Sequence, residues 1–404
     1  MKHNLGYKEV RQLLLERCRT VGTETVALEA SRGRVLAEDQ KALFSIPDFE
    51  KSPYDGYALR AEDTAGASAE APVTLTIVEE VPAGAFPTKA VTEGTAVKIL
   101  TGAPIPQGAD VVVPFERTKF TERTVTLFAP LKRRDNIVRI GEDVDAGTLL
   151  ARRGDRVDLG IASSLACQGI REVPVYRRPL VGLIATGTEL CEPGEARAPG
   201  QIYNSNRYSI QFALEEAGCA VRYLGLAGDE TEKIAGCMEE ALTDCDAVVL
   251  TGGVSVGDYD LTPAAMERIG ADILGRGCAI KPGMACAFAE KNGKLLLGLS
   301  GNPASSVTTF YAAVLPVIRR LCGESQSIPP EVDMTLVDGF GKASRCTRLL
   351  RGFLDMSSGE GRFYPADRQG NVAISSMIGC NAMAIIPQGS GPVEAGTRVK
   401  GFLL

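Results

Sequence analysis

Between residues 178 and 327 the apolar positions come in short dense runs separated by stretches of helical period. The runs RPLVGLIAT (178–186), AVRYLGLAG (220–228) and DAVVLTGG (246–253) have strand length. Between them, NRYSIQFALEEAG (206–218) and TEKIAGCMEEAL (231–242) place apolar residues three and four apart, which predicts helices. Gly218 suits a helix C-cap, and Thr262 with Pro263 is expected to cap and open the next helix. The segment ACAFAEKNGKLLLGL (285–299) reads as a hairpin turning on Asn292–Gly293, a type I′ signal. A last helix is expected from Asn302–Pro303 to Gly323. Strands alternating with helices predict a mostly parallel sheet covered on both faces.

The rest of the chain has other rhythms. YKEVRQLLLERCR (7–19) reads as an amphipathic helix, and residues 23–39 as extended segments and turns. Residues 47–145 are β-rich and heavy in Gly and Pro, as in a small all-β unit. Residues 146–177 look like a connector with a helix near 158–168; packing against the N-terminal helix would make the β unit an insertion. From residue 328 the pattern is strand and turn again, expected as a small barrel. The predicted fold class is multidomain α/β plus β. Its parts are a discontinuous linker domain (1–46 and 146–177), a β-rich inserted domain (47–145), an α/β domain (178–327) and a C-terminal β-barrel (328–404).

Composition narrows the function. A chain of 404 residues is long enough for two to four domains. Its net charge of −6 argues against wholesale nucleic-acid binding, so any anion site must be local. No apolar run reaches the ~18 residues of a membrane span, and the start carries no signal-peptide core; a cytoplasmic location is expected. Eleven cysteines without a C-x-x-C pair read as reduced thiols. His3 is the one histidine and is expected on a frayed terminus, which argues against a Ser-His-Asp triad, a Cys-His dyad or a histidine-ligated zinc site. Catalysis would run on carboxylates, Lys, Arg, hydroxyls, backbone dipoles or an oxygen-held hard metal.

In an open α/β sheet the ligand crevice lies beyond the carboxyl ends of the strands. Four polar clusters fall there: TGTEL (186–190), GDE (228–230), TGGVSVGDYD (251–260) and LSGNPASS (299–306). Gly252 and Gly253 would let the backbone approach a ligand, and the amides before the helix at Asn302 would face an anion. Asp229 with Asp260, or with Asp258, could share a Mg²⁺ completed by water and phosphate oxygens. Lys281 supplies a point charge for phosphate or oxyanion. Each feature alone is commonplace: GD is usually a turn, and GNP is ordinary capping. Neither a P-loop nor a G-x-G-x-x-G fingerprint is present. The residues by themselves point to an α/β protein with an oxygen-rich, metal-assisted anion site.

Nine segments in register carry a resemblance over nearly the whole chain: SPYDGYALR (52–60), TGAPIPQGADVVVPFE (101–116), GEDV (141–144), IATGTEL (184–190), IYNSN (202–206), GD (228–229), DAVVLTGGVSVGDYD (246–260), IKPG (280–283) and LSGNPAS (299–305). Together they resemble the molybdopterin molybdotransferase family, the MoeA-type proteins and the gephyrin E domain. The resemblance implies an elongated homodimer of four-domain subunits with a MogA-like central sheet. It implies conversion of adenylated molybdopterin and molybdate into molybdenum cofactor and AMP with Mg²⁺, with a MogA-type adenylyltransferase as a possible partner. By matching motif, Asp55, Thr101, Asp143, Glu189, Asp229 and Asp260 are implied as functional acids and hydroxyls, with Asp229 and Asp260 on the metal. Gly252, Gly253, Ser255, Asp258, Lys281, Ser300, Gly301, Asn302, Pro303, Arg351 and Ser375 are implied in cofactor binding. In the family the partner subunit's β-rich insertion completes the cleft, bringing Asp55 and Thr101 to it. The acid and base roles of Asp55, Asp143 and Glu189 stay open.

The chain departs from the family pattern in places. It has Met284–Ala285 where Lys-Pro is common after K-P-G, and Gly277 beside Arg276 where a further lysine is common. In SRCTRLLR (344–351), Arg351 matches the second family arginine; the first matches Arg345 with a one-residue shift, or else Arg348. Two other readings compete. One is a specialised paralogue, using tungstate or acting as a non-catalytic pterin-binding chaperone or scaffold. The other is a nucleotide pyrophosphatase on the same core.

Overall fold

The computed structural model describes residues 2–254 and 261–404, residues 2–4 by their backbone alone. The chain forms two compact units: residues 39–151 with 163–170, and residues 1–38, 152–162 and 171–404.

The larger unit is built on a seven-stranded sheet. Its order is Lys2–Leu5, Asp272–Cys278, Cys286–Lys291, Lys294–Leu299, Ala247–Thr251, Leu180–Thr186 and Ala220–Ala227. The hairpin Cys286–Lys291/Lys294–Leu299 is antiparallel and turns on Asn292 (φ 54°) and Gly293 (φ 79°), as the Asn-Gly signal requires. The four strands from Lys294–Leu299 to Ala220–Ala227 run parallel. Alternation along Leu180–Thr186 fills both faces. Val181 and Leu183 join one core with Ile210, Leu214, Phe310 and Ile318, while Ile184 joins the other with Ile234, Met238 and Met266. Helix Ser205–Glu216 ends at Ala217 and Gly218 (φ 100°), the left-handed stop that glycine tolerates.

Three expectations change here. His3 does not lie on a frayed segment: Lys2–Leu5 is an edge strand pairing in parallel with Asp272–Cys278, His3 opposite Arg276. Pairing on that edge satisfies backbone groups that solvent would otherwise have to serve. Thr262 does not cap the next helix, because Leu261–Arg268 begins before it; its hydroxyl donates instead to the Gly252 carbonyl at 3.0 Å. The last helix is continuous from Pro303 to Leu321 but widens to a π segment at Phe310–Val314. Pro316 lacks the N–H that would bond the carbonyl four residues earlier, and the widening falls just before it.

Within the same unit, Thr23–Ala27 pairs antiparallel with Glu172–Tyr176. Helix Tyr7–Arg17 adds Tyr7, Val10 and Leu14 to the first core. The C-terminal strands Val332–Leu336, Thr347–Asp355, Arg362–Pro365, Ala382–Ile386 and Arg398–Leu403 close into a five-stranded barrel, since Thr347–Asp355 pairs with both Arg362–Pro365 and Ala382–Ile386. Closure removes the exposed edges that an open sheet of this size would leave. Ile280–Lys281 joins the barrel as a short parallel strand, Lys281 opposite Arg348.

The smaller unit is a six-stranded sheet in the order Val111–Pro114, Gly56–Leu59, Thr95–Ile99, Val73–Val81, Thr124–Leu127 and Thr118–Phe120. Neighbouring residues of Gly56–Leu59 feed opposite faces: Tyr57 and Leu59 enter one apolar cluster, and Ala58 the other. Among the described residues no helix is long and apolar enough to cross a membrane.

Candidate functional site

The order of the parallel strands fixes where a crevice can form. From Leu180–Thr186 the chain moves to Ala220–Ala227 on one side, then crosses back to Ala247–Thr251 on the other. This reversal is a topological switch point, and the loops leaving the two central strands part there. Thr186 ends the first of these strands and Gly187 follows it; Gly252 and Gly253 follow the second.

The two glycines are demanded by the protein itself. At Gly252 (φ 101°) a Cβ would lie 2.4 Å from the Thr186 carbonyl oxygen and 2.6 Å from its hydroxyl. At Gly253 (φ 62°) it would lie 2.7 Å from the Thr262 hydroxyl. Positive φ and close approach both exclude a side chain. Gly252 N–H donates to the Leu299 carbonyl at 2.9 Å, tying this loop to the end of the neighbouring strand. Ser255, Asp258 and Asp260, which complete the motif, lie outside the described residues.

Asp229 stands just past Ala220–Ala227 and is exposed. Its Oδ2 accepts from the Thr188 N–H (2.9 Å) and the Thr188 hydroxyl (2.8 Å), so two strand-end loops are pinned together. Thr188 was not singled out in the sequence, although it lies inside the TGTEL segment. Glu189 is exposed, and its carboxylate folds over Gly187, where a Cβ would meet Oε2 at 2.5 Å.

The SGNP turn follows Lys294–Leu299. Ser300 is buried, and its hydroxyl accepts from Asn302 N–H at 3.2 Å. Asn302 precedes the helix and Pro303 opens it, with no side-chain cap bond from Asn302. Asn206, also not singled out earlier, donates from Nδ2 to the Gly301 carbonyl at 2.9 Å. Lys281 is exposed and precedes a cis Lys281–Pro282 bond. The following Gly283 (φ 116°) packs so tightly on the SGNP helix that a Cβ would meet the Thr309 hydroxyl at 2.3 Å, and that hydroxyl donates to Gly283 O at 3.0 Å. The lysine turn and the SGNP helix are therefore one packed piece. Met284 is exposed, and Arg276 pairs with Glu267 at 2.9 Å, so its charge is engaged on the helix Leu261–Arg268.

In the barrel, Arg351 is fully buried. Its Nε donates to the Ser376 hydroxyl (2.8 Å), and a terminal nitrogen donates to the carbonyls of Arg368 (3.1 Å) and Gly370 (3.2 Å). The other terminal nitrogen is buried and has no partner among the described residues. Burial pulls the guanidinium pKa below its ordinary value. Ser376, rather than the exposed Ser375, is the serine that meets it. Arg348 lies over the Phe340 ring at 4.7 Å, a cation–π contact.

Three further acids and hydroxyls belong to the smaller unit. Asp55 Oδ1 accepts from Thr101 N–H (2.7 Å) and the Thr101 hydroxyl (2.8 Å). The backbone bond first and the hydroxyl bond second hold its carboxyl below the ordinary 3.8. Asp143 is exposed, its backbone N–H bonded to Ile46 O at 3.0 Å. Among the described residues no group of three or more His, Cys, Asp or Glu is placed to hold a metal.

These features sit in a chain with extensive likeness to known proteins. Residues 5–169 match the MoeA N-terminal region (domain I and II), 182–320 a probable molybdopterin binding domain, and 334–404 the MoeA C-terminal region (domain IV). The chain is 41% identical to a Bacillus subtilis molybdopterin molybdenumtransferase over 95% of its own length and 90% of the relative's. It is 36% identical to the Staphylococcus aureus (strain MRSA252) protein of that name over 98% and 95%. A crystal structure of the molybdopterin biosynthesis moeA protein from Pyrococcus horikoshii OT3 superposes with a TM-score of 0.86 at 31% identity, covering 99% of this chain and 100% of that one. Matched along nearly its whole length by these family regions and relatives, the chain belongs to the molybdopterin molybdenumtransferase family.

Proposed function

We propose that this transferase of molybdenum cofactor biosynthesis inserts molybdate into adenylated molybdopterin and releases AMP, with Mg²⁺ at the phosphate bridge. The observation that carries the reading is Asp229: an exposed carboxylate at the open end of the sheet, one oxygen fixed by Thr188, the other unengaged among the described residues. Mg²⁺ is usually bound through one or two carboxylates plus substrate phosphates and water, so a single oriented carboxylate oxygen fits it. Asp229, with Asp260 from the segment outside the described residues, would hold the ion. When bound, it would neutralise charge on the phosphate oxygens.

The remaining chemistry falls to this chain's own groups. Lys281, exposed on the turn that packs against the SGNP helix at Thr309, offers charge to an oxyanion. Arg351 holds the loop 368–376 by donating to its carbonyls and to the Ser376 hydroxyl. Asp55, held ionised by Thr101, suits binding or orientation better than proton delivery. The dithiolene sulfurs belong to the pterin, so the cysteines need no catalytic part. We propose a homodimer in which the partner's Asp55 and Thr101 reach this chain's cleft, as the family resemblance implies.

Incubation of the pure protein with adenylated molybdopterin, Mg²⁺ and molybdate should release AMP. Asp229→Asn should slow release by at least ~100-fold. Pterin binding by the wild type without AMP release, with an active relative in parallel, would overturn the reading and leave a binding protein.

A further inference from the structure

We propose that Asn206 is a positioning residue: it sets the direction of the Gly301–Asn302 peptide so that its N–H, rather than its carbonyl, is offered to the anionic part of the ligand. The inference rests on the site described under the proposed function.

Asn206 lies in the first turn of Ser205–Glu216 and is 8% exposed. Its Nδ2 donates to Gly301 O at 2.9 Å. A carbonyl only accepts, so the amide must face it with nitrogen, which turns Oδ1 inward. That oxygen is buried and meets no donor among the described residues. Buried side-chain polar atoms are normally satisfied, so a residue chosen for packing alone would not leave one bare. What the arrangement secures is the Gly301 carbonyl.

The consequence follows from peptide planarity. The Gly301–Asn302 bond is trans, so the Asn302 N–H points opposite to the Gly301 carbonyl. With the carbonyl drawn toward a buried side chain, the N–H is directed away from it, on a residue that is exposed. It meets the hydroxyl of the buried Ser300 at 3.2 Å, at the long end of the hydrogen-bond range, and a phosphate or molybdate oxygen can take that place. Gly301 is exposed, and glycine lets the adjoining peptide plane turn at little steric cost. Released from Asn206, the plane can present its oxygen to an anion, which is repulsive.

The test uses the full-length protein with Asn206→Ala, Asn206→Gln and Asn206→Asp. AMP release from adenylated molybdopterin gives KM and kcat, and amide exchange at Gly301 and Asn302 is followed without ligand. Asn206→Ala should raise KM about tenfold with kcat little changed. Asn206→Asp has the native shape but sets a carboxylate oxygen against the Gly301 carbonyl, so its KM should rise further. Asn206→Gln keeps an N–H and should stay within about threefold of wild type. Exchange should quicken in the Ala and Asp variants and not in Gln. A packing role predicts the reverse order, with Asp closest to wild type; that order, or unchanged KM in all three, overturns the inference. A wild type that releases no AMP removes the proposed reaction and this inference together, whereas an active wild type with unaltered variants removes this inference alone.

Discussion

Asp55 shows how one residue's chemistry depends on its neighbours' donors. Two bonds from Thr101 favour its charged form, and both come from the first residue of the TGAPIP segment. Thr101→Val removes the hydroxyl bond and leaves the backbone one. The Asp55 carboxyl should then titrate closer to 3.8, measured by carboxyl-carbon NMR against pH. The sign for stability follows. The lowered folded pKa stabilises the native state above the ordinary carboxylate value, and that contribution is lost as pH falls through the lowered one. Wild type and variant should therefore differ near neutrality and converge at the acid end of a denaturation series. An unchanged titration would mean that the backbone bond alone holds the charge.

Elements around the sheet hold one another in place by close approach. Gly252 sits against the Thr186 carbonyl, and Gly283 against Thr309 of the SGNP helix. Both have positive φ, so even a methyl group meets backbone strain and a clash. Gly283→Ala should destabilise the protein by about 2–3 kcal/mol, read from urea unfolding. Because the same turn carries Lys281, affinity for the substrate should fall with stability. A variant as stable as wild type would show that the lysine turn is free to shift away from the helix.

The whole molecule sets the strictest constraint. Asp55, Thr101 and Asp143 lie in one compact unit, and Glu189, Asp229, Lys281 and Arg351 in the other. If partner chains share the sites, Asp55→Ala and Asp229→Ala chains should complement each other. A mixed dimer then carries one doubly altered site and one intact site. Random mixing makes about half the dimers mixed, so activity should recover to about a quarter of wild type. Each variant alone should stay inactive. Absence of recovery, with mixed dimers demonstrated by mass spectrometry, would place all these residues in one chain's own site.

The alternation of strands and helices, the Asn292–Gly293 hairpin and the closing barrel were legible in the sequence. They depend on residue period and local turn chemistry, which short stretches of chain carry in full. The family and most candidate residues came from the likeness of nine short segments to a known family. The sequence could not show that Lys2–Leu5 completes the sheet, because its partner strand lies some 270 residues away in the chain. Nor could it show that Thr188 holds Asp229, that Ser376 rather than Ser375 meets Arg351, or that Asn206 grips Gly301. Such bonds depend on which loops the strand order brings together. Gly252 and Gly253 are glycines for a reason the motif alone does not show: a Cβ there would meet Thr186 and Thr262. Local pattern determined the elements; the sheet order, through close packing at its open end, decided which side chains face one another.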